Sequence, residues 1–136
     1  MTMSGSMNLF TVAQRAMSAQ LVRMNSAASN LANAGSVTGN ENEAYRPMRA
    51  VFSEELDRST GLSTVRVAGV QRSDAAPIKR HDPGNPLANA EGYVFEAPVD
   101  ENAEMVEMLE SARQYQNMVE ALQTAKQLML ETMRIK

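Results

Sequence analysis

The chain has 136 residues and a formal net charge of −3, with 43% hydrophobic and 21% charged residues, which fits one folded domain or a small domain with long appendages and argues against bulk disorder. It has no cysteine and a single histidine, His81, which excludes a disulfide framework, a thiolate zinc site, a cysteine nucleophile and any two-histidine metal motif. No apolar run approaches the ~18 residues a bilayer span needs, Met1–Ser6 lack the regions of a cleavable secretory signal, and the net charge gives no footing for nucleic-acid binding.

Glycine and proline divide the sequence into three: an N-terminal helix over 1–34, a turn-rich middle over 35–99 and a C-terminal helix over 100–136. All five Pro and every Gly except Gly5 fall between Gly35 and Pro98, and all of the 11 Met except Met48 fall outside that stretch. The first helix is predicted from about Ser6, as N-cap, to Asn33, with Ala34-Gly35 as its stop. Its apolar positions follow two heptad-like rows, Phe10, Met17, Met24, Leu31 and Met7, Gln14, Leu21, Ala28, with Gln14 the polar interruption, and Ala13, Ala16 and Ala27 flank the seam and permit close approach. In the middle, 49–52, 62–70 and 92–96 read as short strands of one little sheet, with a bulge near Gly69 and a strong turn at Asp82-Pro-Gly-Asn-Pro86.

The last helix is predicted from Asp100, its cap, to Ile135. One row is Met105, Ala112, Val119, Lys126, Met133, and its companion is Met108, Tyr115, Leu122, Met129. A further stripe, Met118, Ala121, Ala125, Leu128, Thr132, Ile135, implies that this helix touches several neighbours. The middle holds too few large apolar side chains to cover both rods. The two helices are therefore expected to pair as an antiparallel coiled coil, and the excess apolar surface to meet other chains. The expected fold is mainly α with a small β-rich insertion. The alternative on pattern alone is a monomeric helical hairpin whose Met-rich stripes are simply core.

Residues that could carry chemistry are few. His81 is expected in a surface loop, without a nucleophile or an orienting group, and a small enzyme centred on it is the weakest reading. Arg46, Arg49, Lys79 and Arg80 form a candidate charge patch without interleaved aromatics. Glu104, Glu107 and Glu110 read as a solvated helix face, with Arg113 placed for an i,i+3 pair. There is no phosphate loop and no nucleophile elbow, and no cofactor or metal is expected.

The motifs are more specific than the periodicity. Asn30-Leu31-Ala32-Asn33-Ala34-Gly35-Ser36, after Ala27-Ala28-Ser29, resembles the signature that closes the first helix of bacterial flagellar axial proteins, and Tyr45-Arg46 resembles the family's next segment. Asp82-Pro83-Gly84-Asn85-Pro86-Leu87-Ala88, with Gly92-Tyr93-Val94, Pro98-Val99-Asp100 and the run from Glu104 to Gln116, is similar to the proximal-rod type. The resemblance implies a structural subunit of the basal-body rod. Its partners would be copies of itself, other rod proteins, the MS-ring and rod-base adaptors, and the flagellar type III export apparatus. It would be exported without a cleaved signal into a rod spanning the periplasm, with no nucleic acid and no membrane insertion. The paired terminal helices would form the inner tube wall, disordered in the free subunit and folding on assembly. The expected assembly residues are Met7, Phe10, Met17, Leu21, Met24, Leu31, Met105, Met108, Tyr115, Met118, Val119, Leu122, Leu128, Met129 and Ile135. A non-flagellar coiled-coil adaptor, or another rod or hook protein, is the alternative.

Overall fold

A computed structural model describes residues 3–135. Helix α1 spans Met3–Ala32, and β1 (Val37–Thr38) follows it. A single 3-10 turn at Glu41–Glu43 leads to β2 (Met48–Asp57) and β3 (Leu62–Arg72). Strands β4 (Ile78–His81) and β5 (Tyr93–Glu96) precede helix α2 (Glu101–Ile135). Two terminal helices with a small antiparallel β middle are thus the architecture the sequence points to. The helices contain 30 and 35 residues, rods of roughly 45 and 52 Å at the usual rise.

The helix ends differ in how well they match expectation. Asp100 caps α2, its Oδ1 accepting the Ala103 amide at 3.2 Å. Helix α1 begins at Met3, so Ser6 lies within the helix rather than capping it. At the other end, Asn33 folds its amide back to the Ser29 carbonyl, and the Ser36 backbone and hydroxyl both donate to the Asn33 carbonyl, which closes the helix before Gly35.

The β residues make two sheets, not one. Strands β2 and β3 form a hairpin, and β1, β5 and β4 form a three-stranded sheet in that order. The bulge falls where expected: Val51 pairs with Gly69 and Phe52 with Val67, so Ala68 is the extra residue. Strand β4 lies where a loop was expected. All four of its residues are exposed, and β5 supplies the buried Val94 and Phe95.

The hairpin runs along α1. At its base Asn30 meets Met48, midway Arg15 donates to Thr64, and at its tip Asp57, Thr60 and Leu62 border a shallow groove with Asn8, Thr11 and Val12. Helix α2 packs on another face of α1, where Arg23 meets Glu107 and Gln20 meets Gln114, an order that makes the two helices antiparallel. Helix α1 is therefore the middle of three layers, α2–α1–hairpin. This corrects the expectation that, within the chain, the helices have only each other to cover them. The difference is physical: among the described residues those that α1 buries are small (Ala13, Ala19, Ser26 and Ala27, with Asn30), and a narrow rod lets two neighbouring elements approach closely. Ala13 and Ala27, which flank the expected seam, are among these buried residues. The row of Gln14, Leu21 and Ala28 points to solvent instead.

Because Ala19 is 2% exposed between two packed layers, Ala19→Leu should overpack the middle layer. The expected loss is about 1–3 kcal/mol in urea unfolding. An unchanged midpoint would contradict the three-layer arrangement.

Candidate functional site

The motif residues are brought together, and what they build is joints. Asn30 is completely buried. Its Oδ1 accepts the Met48 amide at 2.7 Å and the Tyr45 hydroxyl at 2.8 Å, and its Nδ2 donates to the Met48 carbonyl at 2.9 Å. One side chain thus stands in for a neighbouring strand at the start of β2. Ser29 shares the Tyr45 hydroxyl at 2.8 Å. Leu31, between the two motif asparagines, is half-buried.

The second motif closes the loop between β4 and β5. Asn85 donates its backbone amide to the Asp82 carbonyl, and its Oδ1 accepts from Leu87, while Asp82 donates its amide to the Gly92 carbonyl. Gly92 has φ +84°, and a Cβ there would lie 3.1 Å from Pro83 and 3.2 Å from His81, so the turn demands glycine. Gly39 is required differently: a Cβ would come within 2.7 Å of the Leu87 carbonyl, where the loop crosses the chain leaving α1. Pro83, Gly84 and Pro86 form the exposed outside of this turn, and Tyr93 packs its ring edge-on against His81 at 4.9 Å.

A second joint lies beside the first. Glu104, in the first turn of α2, is 1% exposed, and its Oε1 forms an ion pair with Arg49, the residue after Met48. Arg49 also donates to the Met48 carbonyl at 3.0 Å. The dipeptide Met48-Arg49 is therefore gripped by one buried polar residue from each helix. Glu107 is paired with Arg23 at 2.7 Å. The three glutamates are consequently not one solvated face. Two of them join layers, and among the described residues Glu110 and Arg113 form no ion pair with each other. Glu104 could not be found from periodicity, because an acidic residue in a first helical turn is normally read as dipole-favouring and solvated. The signal was its place in the heptad-spaced series 104, 108, 111, 115, 118, 122, 125, 129, all buried or half-buried.

The basic residues do not form a patch. Arg46 pairs with Asp74 at 2.8 Å, Arg80 pairs with Glu96 at 3.0 Å, and Lys79 lies over the Tyr93 ring at 4.2 Å. His81 sits exposed at the end of β4, against the Tyr93 ring. Among the described residues no set of three His, Asp or Glu could hold a metal ion, and no helix is long and apolar enough to cross a membrane.

What the surface does carry is apolar. Met108, Tyr115, Met118, Val119, Leu122 and Met129 are half-buried along the α2 seam, and Phe10, Met17 and Met24 are half-buried on α1. The side chain of Met7 lies outside the described residues. Leu21, Met105, Leu128 and Ile135 are exposed, the last at 87%, as are Val106, Leu109, Leu130 and Met133, which the sequence rows did not single out or placed inside a seam. Lys126, on an expected seam row, is also exposed. Among the described residues, seven of these exposed large apolar side chains lie on α2.

Known proteins place this arrangement. Residues 10–39 match the family described as flagella basal body rod protein, and residues 90–135 match the C-terminal family of flagellar basal body rod FlgEFG proteins. The class is therefore that of flagellar rod proteins. The chain is 44% identical to the flagellar basal-body rod protein FlgC of Salmonella typhimurium over 95% of its own length and 96% of the relative's. It is 43% identical to FlgC of Escherichia coli O157:H7 and 35% identical to that of Buchnera aphidicola from Acyrthosiphon pisum, each over 95% of this chain and 96% of the relative. It belongs to the FlgC family of flagellar basal-body rod proteins, a structural rod subunit and not an enzyme.

Two outcomes follow from the joints. Asn30→Ala leaves the Met48 amide and the Tyr45 hydroxyl without their partner, and the expected loss is about 3 kcal/mol in equilibrium unfolding; a loss below ~1 kcal/mol would contradict the strand-like role. The hydrogen bond from Arg23 holds the Glu107 carboxyl below its ordinary value, against the opposing effect of partial burial, and Arg23 is raised in return. A carboxyl depressed in the folded state contributes stability above its unfolded pKa, near 4.3, and loses it as pH falls through the folded value. The difference in urea midpoint between wild type and Glu107→Gln should therefore be present at pH 7 and shrink below about pH 4. A difference independent of pH would refute this assignment.

Proposed function

We propose that the chain polymerises through its terminal helices, with copies of itself and with other axial proteins, into the proximal part of the rod that crosses the periplasm. Units 1–34 and 100–136 form an antiparallel coiled coil that builds the inner wall, and 35–99 forms an outer β-rich part. The alternating three- and four-residue spacing of the buried α2 positions supports the coiled coil. Contacts at the base of the rod involve the MS ring and its adaptors. Export proceeds through the flagellar type III apparatus.

The observation that carries this reading is the apolar surface of α2 that neither α1 nor the hairpin covers: Met105, Val106, Leu109, Leu128, Leu130, Met133 and Ile135. In a rod subunit such surface is shielded by neighbours, and a heterologous contact that does not close into a ring extends into a tube. Met adapts to slightly different neighbours with little strain. The helix ends farthest from the Met48-Arg49 joint are the parts whose folding is completed by docking. An isolated coiled-coil adaptor would saturate at a fixed small stoichiometry.

Leu128→Asp tests the proposal without disturbing the fold, since Leu128 is already 59% exposed. The variant should be exported and remain folded, fail to enter basal bodies, and abolish swimming. Normal motility with normal incorporation would overturn the proposal.

A further inference from the structure

The chain leaves two exposed apolar faces, and they are complementary. Thr64 is buried toward Arg15 of α1 and pairs with Glu55, so their neighbours Glu54 and Val65, which pair with each other, point the opposite way. Phe52 and Leu56 flank Glu54 on that same outer side of the hairpin. Leu56, Val65 and Phe52 are all exposed, and a two-stranded hairpin with an uncovered apolar face is marginal in water. Among the described residues Glu54 has no ion-pair partner. The outer face is thus an apolar patch with an unpaired carboxylate at its centre.

The far end of α2 has the opposite character. Lys126, Leu130, Met133 and Arg134 are spaced i, i+4, i+7 and i+8, which places them on one helical face. Leu130 and Met133 are exposed, and neither Lys126 nor Arg134 has an ion-pair partner among the described residues. This face is two apolar side chains bracketed by two cations.

We propose that the outer face of the β2–β3 hairpin seats the C-terminal end of α2 from a second copy of this chain. Leu130 and Met133 lie on Phe52, Leu56 and Val65, and Glu54 is neutralised by Lys126 or Arg134. The two faces are different patches on different elements, so the contact is heterologous and continues from copy to copy instead of closing as a dimer. It would also cover the solvent side of a hairpin that α1 supports on one face only. The inference rests on self-association of the chain and adds to it the pair of surfaces that meet.

The chain's lack of cysteine makes the test direct. Two singly substituted full-length chains, Leu56→Cys and an affinity-tagged Met133→Cys, are mixed at a concentration where wild type self-associates by light scattering, then oxidised. The expected product is a mixed disulfide dimer in several-fold excess over either homodimer, and Glu54→Lys in the first chain should reduce it at least tenfold. Combining Glu54→Lys with Lys126→Glu and Arg134→Glu in the second chain should restore it. Homodimers only, or no crosslink while wild type still associates, would overturn this contact and leave the rod assignment standing. Absence of any self-association by wild type would count against both.

Discussion

Helix α1 can be the middle layer only because the side chains it buries are small. Ala13, Ala19, Ser26 and Ala27 let both α2 and the hairpin approach. Such faces contribute little hydrophobic free energy per residue, since burial scales with apolar area. The arrangement therefore relies on a few buried polar contacts for its geometry. Asn30 and Glu104 supply them, one from each helix, at adjacent residues of β2. Buried polar groups are costly unless satisfied, so a displaced hairpin or a slipped helix would leave both without partners.

That constraint explains where the large apolar side chains go. A thin middle layer cannot absorb them, and they collect on the outer surfaces: Leu109, Leu130 and Met133 on α2, and Phe52, Leu56 and Val65 on the hairpin. A monomer has no means of hiding them. In the proposed rod, neighbouring copies hide them. Structural economy within the chain and open-ended assembly are two consequences of one packing choice.

The sequence was most informative where turn chemistry and motifs are strict. The two helices, the stop after Ala34, the cap at Asp100, the bulge opposite Val51 and the motif-bearing turn at Asp82–Pro86 were all legible from local residue preferences. The pairing of strands was not, because two-residue β1 and wholly exposed β4 carry no hydrophobic alternation. The packed face of α1 was legible in part: the heptad rows run through half-buried Met and Leu, the flanking Ala13 and Ala27 are buried, and Ser26 and Asn30 carry no hydropathy signal. The joints formed by Asn30 and Tyr45 could be flagged as a motif but not understood, because their geometry depends on contacts between residues far apart in the chain. His81 carried no recognisable chemistry in the sequence, and the structure gives it a ring contact with Tyr93.

Hydrogen exchange on the free subunit and on assembled rods tests the whole account most directly. In the free chain, protection should be highest around the paired joint, at 19–34, 48–52 and 104–111, and should fall steadily along α2 toward 118–135. Assembly should then protect the 118–135 segment strongly while changing the joint little. Uniform protection along all of α2 in the dilute free chain, unaltered on assembly, would contradict the claim that neighbours complete this fold.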